Sequence, residues 1–275
     1  MGFAIGLGAF ASAILIIFYL FLILPRVSGG ADMELLRTDF AHRGLWDATS
    51  PENSLSAFAK AVQSGYGIEL DVRLSKDGHI MVFHDETLRR MCGVDRRISD
   101  MTRAELSALR LSGTGETIPT LPEVLRLVRG RVPLMIEIKG DRPDEDLCRR
   151  LSALLDTYRG AFCIESFSPL IVGWFKSYRP GYARGQLVTK TTNHKRRGSR
   201  AIGFLLSHML LNFISRPDFI SVSEKIRKRP VSFICTRIFH ISGFVWTVRK
   251  KESYMLCRSH GYMTVFENIR PRSYK

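Results

Sequence analysis

A closed α/β barrel of parallel strands is the fold this sequence predicts, and three observations predict it. Short apolar runs alternate with helically spaced segments between residues 39 and 266. Polar and charged residues gather late in those runs. The chain has 275 residues, of which 45% are hydrophobic, enough for one substantial core. The same numbers exclude a disordered chain and a disulfide-held mini-protein, and a single long apolar stretch excludes a multi-span transporter.

Residues 39–44 (DFAHRG) read as a short strand ending in polar residues and glycine, and 54–63 (SLSAFAKAVQ) follows with helical spacing. Residues 66–73 and 79–85 are the next two strands. Residues 86–119, rich in charges and turn residues, interrupt the alternation as an excursion after the third strand. A helix at 121–128 precedes the strongly apolar strand 132–139 (VPLMIEIK); a helix at 145–155 and a strand at 161–167 come next. Later strand candidates are 185–188, 219–222, 243–248 and 262–266. Nine candidates compete for eight places, so one of the weak pair 185–188 and 219–222 is expected to be spurious or outside the sheet.

Gly2 to Pro25 carries no charge, and at ~1.5 Å rise per residue it covers a ~30 Å hydrocarbon core. Neither a basic n-region nor a small-residue cleavage site accompanies it. An uncleaved transmembrane helix within residues 1–30 is therefore expected, ahead of a barrel over 36–275. Arg26 and Arg37 follow the segment and no basic residue precedes it. The positive-inside rule then predicts a membrane-anchored protein with the bulk of the chain in the cytoplasm. Five cysteines (92, 148, 163, 235 and 257), odd in number and without a Cys-x-x-Cys, agree with a reducing compartment.

The net charge of +15 is lopsided. Residues 1–188 hold 23 basic and 22 acidic side chains, whereas 189–275 hold 18 and 4. Such a field favours an anionic partner. No nucleic-acid recognition motif is present, so an anionic membrane leaflet is expected and nucleic acid is not. The uncharged stretch 201–215 (AIGFLLSHMLLNFIS), flanked by KRRGSR at 195–200, suits a helix lying on that leaflet. It equally suits a helix packed on the sheet.

The placement of the polar residues carries the chemistry. Glu69 and Asp71 share one face of their strand, as do Glu137 and Lys139, because strand side chains repeat every two residues. Buried charges cost several kcal/mol unless paired or metal-bound, and in a parallel barrel the C-terminal strand ends surround one mouth. Glu69, Asp71 and Glu137 converging there need a cation, and an all-oxygen set suits Mg²⁺ or Ca²⁺. Arg43 and Lys139 add positive charge suited to a phosphate. His42 and His84 are groups able to pass protons near neutral pH. Together they point to cleavage of a phosphoryl ester.

At these residues the sequence resembles the glycerophosphodiester phosphodiesterase family. The matching pieces, in the family's order, are AHRG (41–44), PENS (51–54), ELDV (69–72), VFHD (82–85), EIK (137–139) and, more loosely, VWTV (245–248). The resemblance implies a TIM barrel with a small insertion after strand 3, matching 86–119. It also implies metal-dependent hydrolysis of a glycerophosphodiester, or of a lysophospholipid, in lipid metabolism. Glu69, Asp71 and Glu137 would hold the metal, His42 and His84 would be the acid/base pair, and Arg43 and Lys139 would contact the phosphate. Glu52 would lie near the site or cap the following helix with Asn53 and Ser54. Trp246 would line the pocket or pack in the core, and Asp85 would support its neighbours. A non-catalytic membrane lipid-binding protein is the alternative from another class. Two departures stand out: Arg249 replaces the family's Asn or Asp after W-T-V, and the C-terminus reads GYMTVFENIRP (261–271).

Overall fold

Short, mostly apolar runs build nine strands: β1 (Phe40–His42), β2 (Gly67–Leu74), β3 (Ile80–Val82), β4 (Leu134–Ile138), β5 (Phe162–Ser166), β6 (Ala183–Val188), β7 (Phe219–Ser223), β8 (Ser242–Val248) and β9 (Met263–Phe266). The computed structural model describes residues 2–27, 33–190 and 199–271. Eight strands are parallel, and β1 pairs with both β2 and β9, which closes a TIM-type barrel.

The helices in chain order are α1 (Gly2–Ile23), α2 (Leu55–Gln63), α3 (Arg89–Cys92), α4 (Arg103–Ser107), α5 (Leu121–Val128), α6 (Glu145–Leu155), α7 (Pro169–Tyr178), α8 (Ser199–Ser207), α9 (Asn212–Ser215), α10 (Pro230–Phe233) and α11 (Lys251–Ser259). Ser54 caps α2 by accepting from the Ala57 N–H, and Thr120 with Glu123 forms a capping box on α5.

The odd strand is not the expected one. Both 185–188 and 219–222 belong to barrel strands, β6 and β7. The strand outside the barrel is β3, which runs antiparallel to β2 with Val72 opposite Val82. Residues 75–79 between them are too few for a parallel crossover. The excursion therefore follows β3 as expected but sits between the second and third barrel strands. It has a small core of its own, built on Leu88, Met91, Ile98, Leu106 and Leu111 with Met81 and Phe83.

The expectation of a membrane anchor is corrected. The stretch does form a helix, but among the described residues no helix is long and apolar enough to cross a membrane. The single-helix anchoring, and the cytoplasmic placement inferred from it, lose their basis. The end of α1 is instead engaged with the barrel. Ile23 is fully buried, its carbonyl accepts from Asn212 Nδ2 at 3.2 Å, and Phe21 stacks on Phe213 at 6.0 Å. Arg26 then pairs with Asp218 at 3.1 Å and donates to the Pro180 carbonyl.

The uncharged stretch 201–215 is also not one helix. Met209 adopts a left-handed φ of 57° and separates α8 from α9. Asn212 and Ser215 on α9 are buried beside α1 and α7, whereas Ile202 and Phe204 on α8 face solvent. The basic flank 195–198 and the proposed boundary at residue 30 lie outside the described residues.

Apolar packing sets the height of the polar layer. Phe40, Met135, Cys163, Phe219, Phe244 and Val265 plug the barrel interior below it. The alternate residues, such as Ile68, Leu70, Val72 and Ile136, face outward under the helices. Glycines make the plug possible. A Cβ on Gly185 would meet the Phe219 ring at 2.1 Å, and one on Gly67 the Phe40 ring at 2.7 Å. Because Phe219 is fully buried, Gly185→Ala should destabilise the fold by about 1–3 kcal/mol through overpacking. Urea titration checks this, and adding Phe219→Leu should restore part of the loss.

Candidate active site

Period-two alternation on β2 turns Glu69 and Asp71 into the barrel, and the parallel register sets Asp71 opposite Glu137 of β4. All three carboxylates are buried, and one oxygen from each lies within 4.8 Å of the others. Lys139 Nζ bridges Asp71 Oδ1 and Glu137 Oε1 at 2.6 Å each. Arg43 sits just beyond β1 with φ 57°, beside Gly44 at φ 84°. In that turn the Arg43 backbone N–H donates to Glu69 Oε2 at 2.8 Å, while its guanidinium reaches Glu52 at 2.8 Å and Asp71 at 3.5 Å. A Cβ on Gly44 would strike Ala57 and Phe58 at 3.0 Å, so this tight turn against α2 requires glycine.

The electrostatics follow from this crowding. Burial, reinforced by Asp71 and Glu137, pushes the Glu69 carboxyl well above its ordinary value, and burial raises Glu137 too. Burial also acts upward on Asp71, but Lys139, His84 and Arg43 outweigh it and hold that carboxylate ionised far into the acid range. Burial opposes the charge on Lys139, and Asp71 and Glu137 more than restore it. One carboxyl of the triad thus lacks a full counter-charge. Oxygen donors alone, close together and short of positive charge, could hold a hard divalent cation.

The two histidines flank the triad in matching ways. His42 Nδ1 is 2.9 Å from Glu267 Oε2, and both oxygens of Glu267 accept from Arg249 at 3.1 Å. His84 Nδ1 is 2.6 Å from Asp85 Oδ1, whose other oxygen accepts from Arg90 Nε at 2.6 Å. Arg90 also donates to Glu52 at 2.6 and 3.0 Å, which links α3 of the excursion to Arg43. Burial lowers both imidazoles from their ordinary value. It acts upward on Glu267, yet His42 and Arg249 hold that carboxylate down at about 2.

Every residue expected at the mouth is there, with changes of detail. His84 and Asp85 do not end a barrel strand; they follow antiparallel β3, and the Phe83 N–H to Asp71 carbonyl bond of 2.9 Å sets that turn level with the triad. Glu52 does not cap α2, because Arg43 and Arg90 take both its oxygens. Trp246 lies half-buried at the mouth end of β8, donates to the Ser221 carbonyl at 3.0 Å and meets Phe167 edge-on at 5.5 Å.

Three neighbours were not expected at the site, although Asn53 was read as a helix cap. Asn53, at φ 57°, donates to Asp71 Oδ2 at 2.8 Å. Glu165 lies opposite Glu137 on β5, and burial with that neighbour pushes it well above its ordinary value. Glu267 is the third. The signal for Glu165 was present, since AFCIESF places an acid late in a strand just as VPLMIEIK does.

A model of the glycerophosphoryl diester phosphodiesterase family matches residues 42–268. The chain belongs to that family. The glycerophosphodiester phosphodiesterase of Bacillus altitudinis is 46% identical over 107 residues, 36% of this chain and 43% of that protein. The chain thus spans less than half the length of the first curated relatives it matches. A lysophospholipase D from Mus musculus is 28% identical over 245 residues, 83% of this chain and 68% of that protein. Among solved structures, a glycerophosphodiester phosphodiesterase from Thermotoga maritima has TM-score 0.66 at 28% identity, covering 86% of this chain and 96% of that one. Family members thus share the barrel, and the match begins at His42 and ends one residue beyond Glu267.

Proposed function

We propose that the chain is a divalent-metal-dependent phosphodiesterase that hydrolyses glycerophosphodiesters to an alcohol and glycerol phosphate, in glycerophospholipid metabolism. The observation that carries this is the buried triad Glu69, Asp71 and Glu137, set against Lys139 and Arg43 between two carboxylate-braced histidines. The catalytic unit is the barrel over 36–275, with the excursion 86–119 contributing Arg90.

The triad would hold Mg²⁺ or Ca²⁺, its oxygen-only donors and raised Glu69 carboxyl fitting a hard cation. When bound, such an ion supplies Lewis-acid neutralisation of the phosphate oxygens. Arg43 and Lys139 bind the diester phosphate and stabilise charge as the nucleophile adds. One histidine takes the proton from the nucleophile, water or the glycerol 2-hydroxyl, and the other gives a proton to the departing alcohol oxygen. Asp85 and Glu267 occupy each Nδ1, which leaves each Nε2 for exchange with substrate. Glu52 orients Arg43, and Trp246 lines the wall against the glycerol or head group.

A second substrate class, membrane lysophospholipids, is favoured by one observation. Ile202 and Phe204, 53% and 56% exposed, lie on α8 after the mouth end of β6 and offer an apolar surface for an acyl chain. The lysophospholipase D relative is consistent with it. The basic C-terminal third would favour an anionic leaflet as the source of such a lipid.

Turnover of glycerophosphocholine and lysophosphatidylcholine by the whole chain, side by side with Mg²⁺ or Ca²⁺, tests this. A higher kcat/KM on glycerophosphocholine is expected. The reverse order supports the lysophospholipid reading. No turnover of either, by a chain that unfolds cooperatively, overturns catalysis in favour of lipid binding alone.

A further inference from the structure

At the end of the barrel opposite the active site, a cavity of about 340 Å³ opens between the starts of β8 and β9. Its walls come from three places. Arg37 precedes β1, Arg237 and His240 precede β8, and Arg258 and His260 close α11. Tyr262 and Met263 give it an apolar floor beside Gly243. A Cβ on Gly243 would strike the Tyr262 ring at 2.6 Å, so glycine sets the depth there.

The charge in this cavity is one-sided. Three arginines and two histidines line it, and among the described residues no acidic side chain does. Two of the arginines have a carboxylate nearby: Arg37 lies 3.4 Å from exposed Glu34, and Arg258 lies 3.8 Å from buried Asp39. Among the described residues, Arg237 donates only to the His260 carbonyl, at 2.6 Å. The remaining N–H groups of its planar fork stay available for an acceptor. Arginine forks with polar imidazoles over a small apolar floor match an anionic oxygen cluster carrying a short organic group. The cavity volume lies at the small end of ligand sites, about 300–1,000 Å³.

We propose that this cavity is a second anion site, distinct from the catalytic mouth, that takes a phosphate-bearing group. The group is either a free phosphate compound or the phosphate of a lipid head group, which share the chemistry the arginines recognise. The site does not depend on the catalytic assignment, because none of its residues touches the triad or the histidines at the mouth.

Arg237→Glu in the whole chain tests the proposal, because Arg237 is exposed and its loss removes one surface hydrogen bond. Equilibrium dialysis with inorganic phosphate should show one bound equivalent fewer in Arg237→Glu than in the parent chain. That difference of one is expected whether or not the mouth binds phosphate as well. In a second arm, vesicles of phosphatidylglycerol in phosphatidylcholine are sedimented with each protein. If the site reads lipid, affinity for those vesicles should fall about tenfold or more on charge reversal. His240→Ala should act in the same direction more weakly, and the thermal midpoint of both variants should match the parent. A lost phosphate equivalent assigns the site to soluble phosphates, and a lost vesicle affinity assigns it to lipid. Parent-like behaviour of Arg237→Glu in both arms overturns the proposal.

Discussion

His42→Ala and His84→Ala should each lower kcat on glycerophosphocholine by about 10²–10⁴, with KM little changed. The imidazoles are braced symmetrically, His42 by Glu267 and Arg249, His84 by Asp85 and Arg90. Such bracing holds a ring in one orientation and places the exchangeable proton on one nitrogen. If proton transfer is their task, losing a ring removes a step from the transition state and not from substrate binding. The bracing carboxylates should matter less than the rings. Glu267→Ala should cost about 10–100-fold, by analogy with groups that orient metal-bound imidazoles, and Glu267→Gln should recover part of it. A purely structural Glu267 would instead show itself as a lowered thermal midpoint with kcat unchanged. Steady-state kinetics beside thermal melts separates these results, and losses below about tenfold for both histidine variants would contradict their assignment.

Glu69→Gln should abolish metal-stimulated turnover, a loss of about 10³ or more, since the Lewis-acid contribution is worth several kcal/mol. The amide keeps the shape and can still accept from the Arg43 N–H. It removes a buried carboxyl whose charged form burial and the neighbouring carboxylates already disfavour. With less repulsion the apo protein should melt at the same temperature or higher. The stabilisation that Mg²⁺ or Ca²⁺ gives the parent chain should disappear, because a ligand bound only to the folded state raises stability by mass action. Titration calorimetry and melting curves with each ion read this without turnover. Equal metal-induced stabilisation of parent and Glu69→Gln would place the ion elsewhere.

The triad was legible because period two acts over a few residues: Glu69 with Asp71, and Glu137 with Lys139, share a face whatever the rest of the chain does. Barrel closure was legible only as an economy of eight units. Its consequences were not, since Glu267 reaches His42 across 225 residues only because β9 pairs with β1. The glycine-containing β6 looked weak because Gly185 has no side chain to count, yet its emptiness is what admits Phe219. β3 passed for a barrel strand because its apolar run resembles the others, while the Asp-Gly turn before it carried the hairpin signal. The apolar N-terminus satisfied a length rule for membrane spans, and the packing of Phe21 and Ile23 on α9 lies beyond what hydropathy can read.

The most direct test is glycerophosphocholine hydrolysis by the whole chain, stripped with EDTA and then supplied with Mg²⁺ or Ca²⁺. The triad predicts that activity falls to the blank on chelation and returns in proportion to added ion until one equivalent per chain is bound. Turnover that persists at full rate in EDTA would contradict a metal-dependent phosphodiesterase built on Glu69, Asp71 and Glu137.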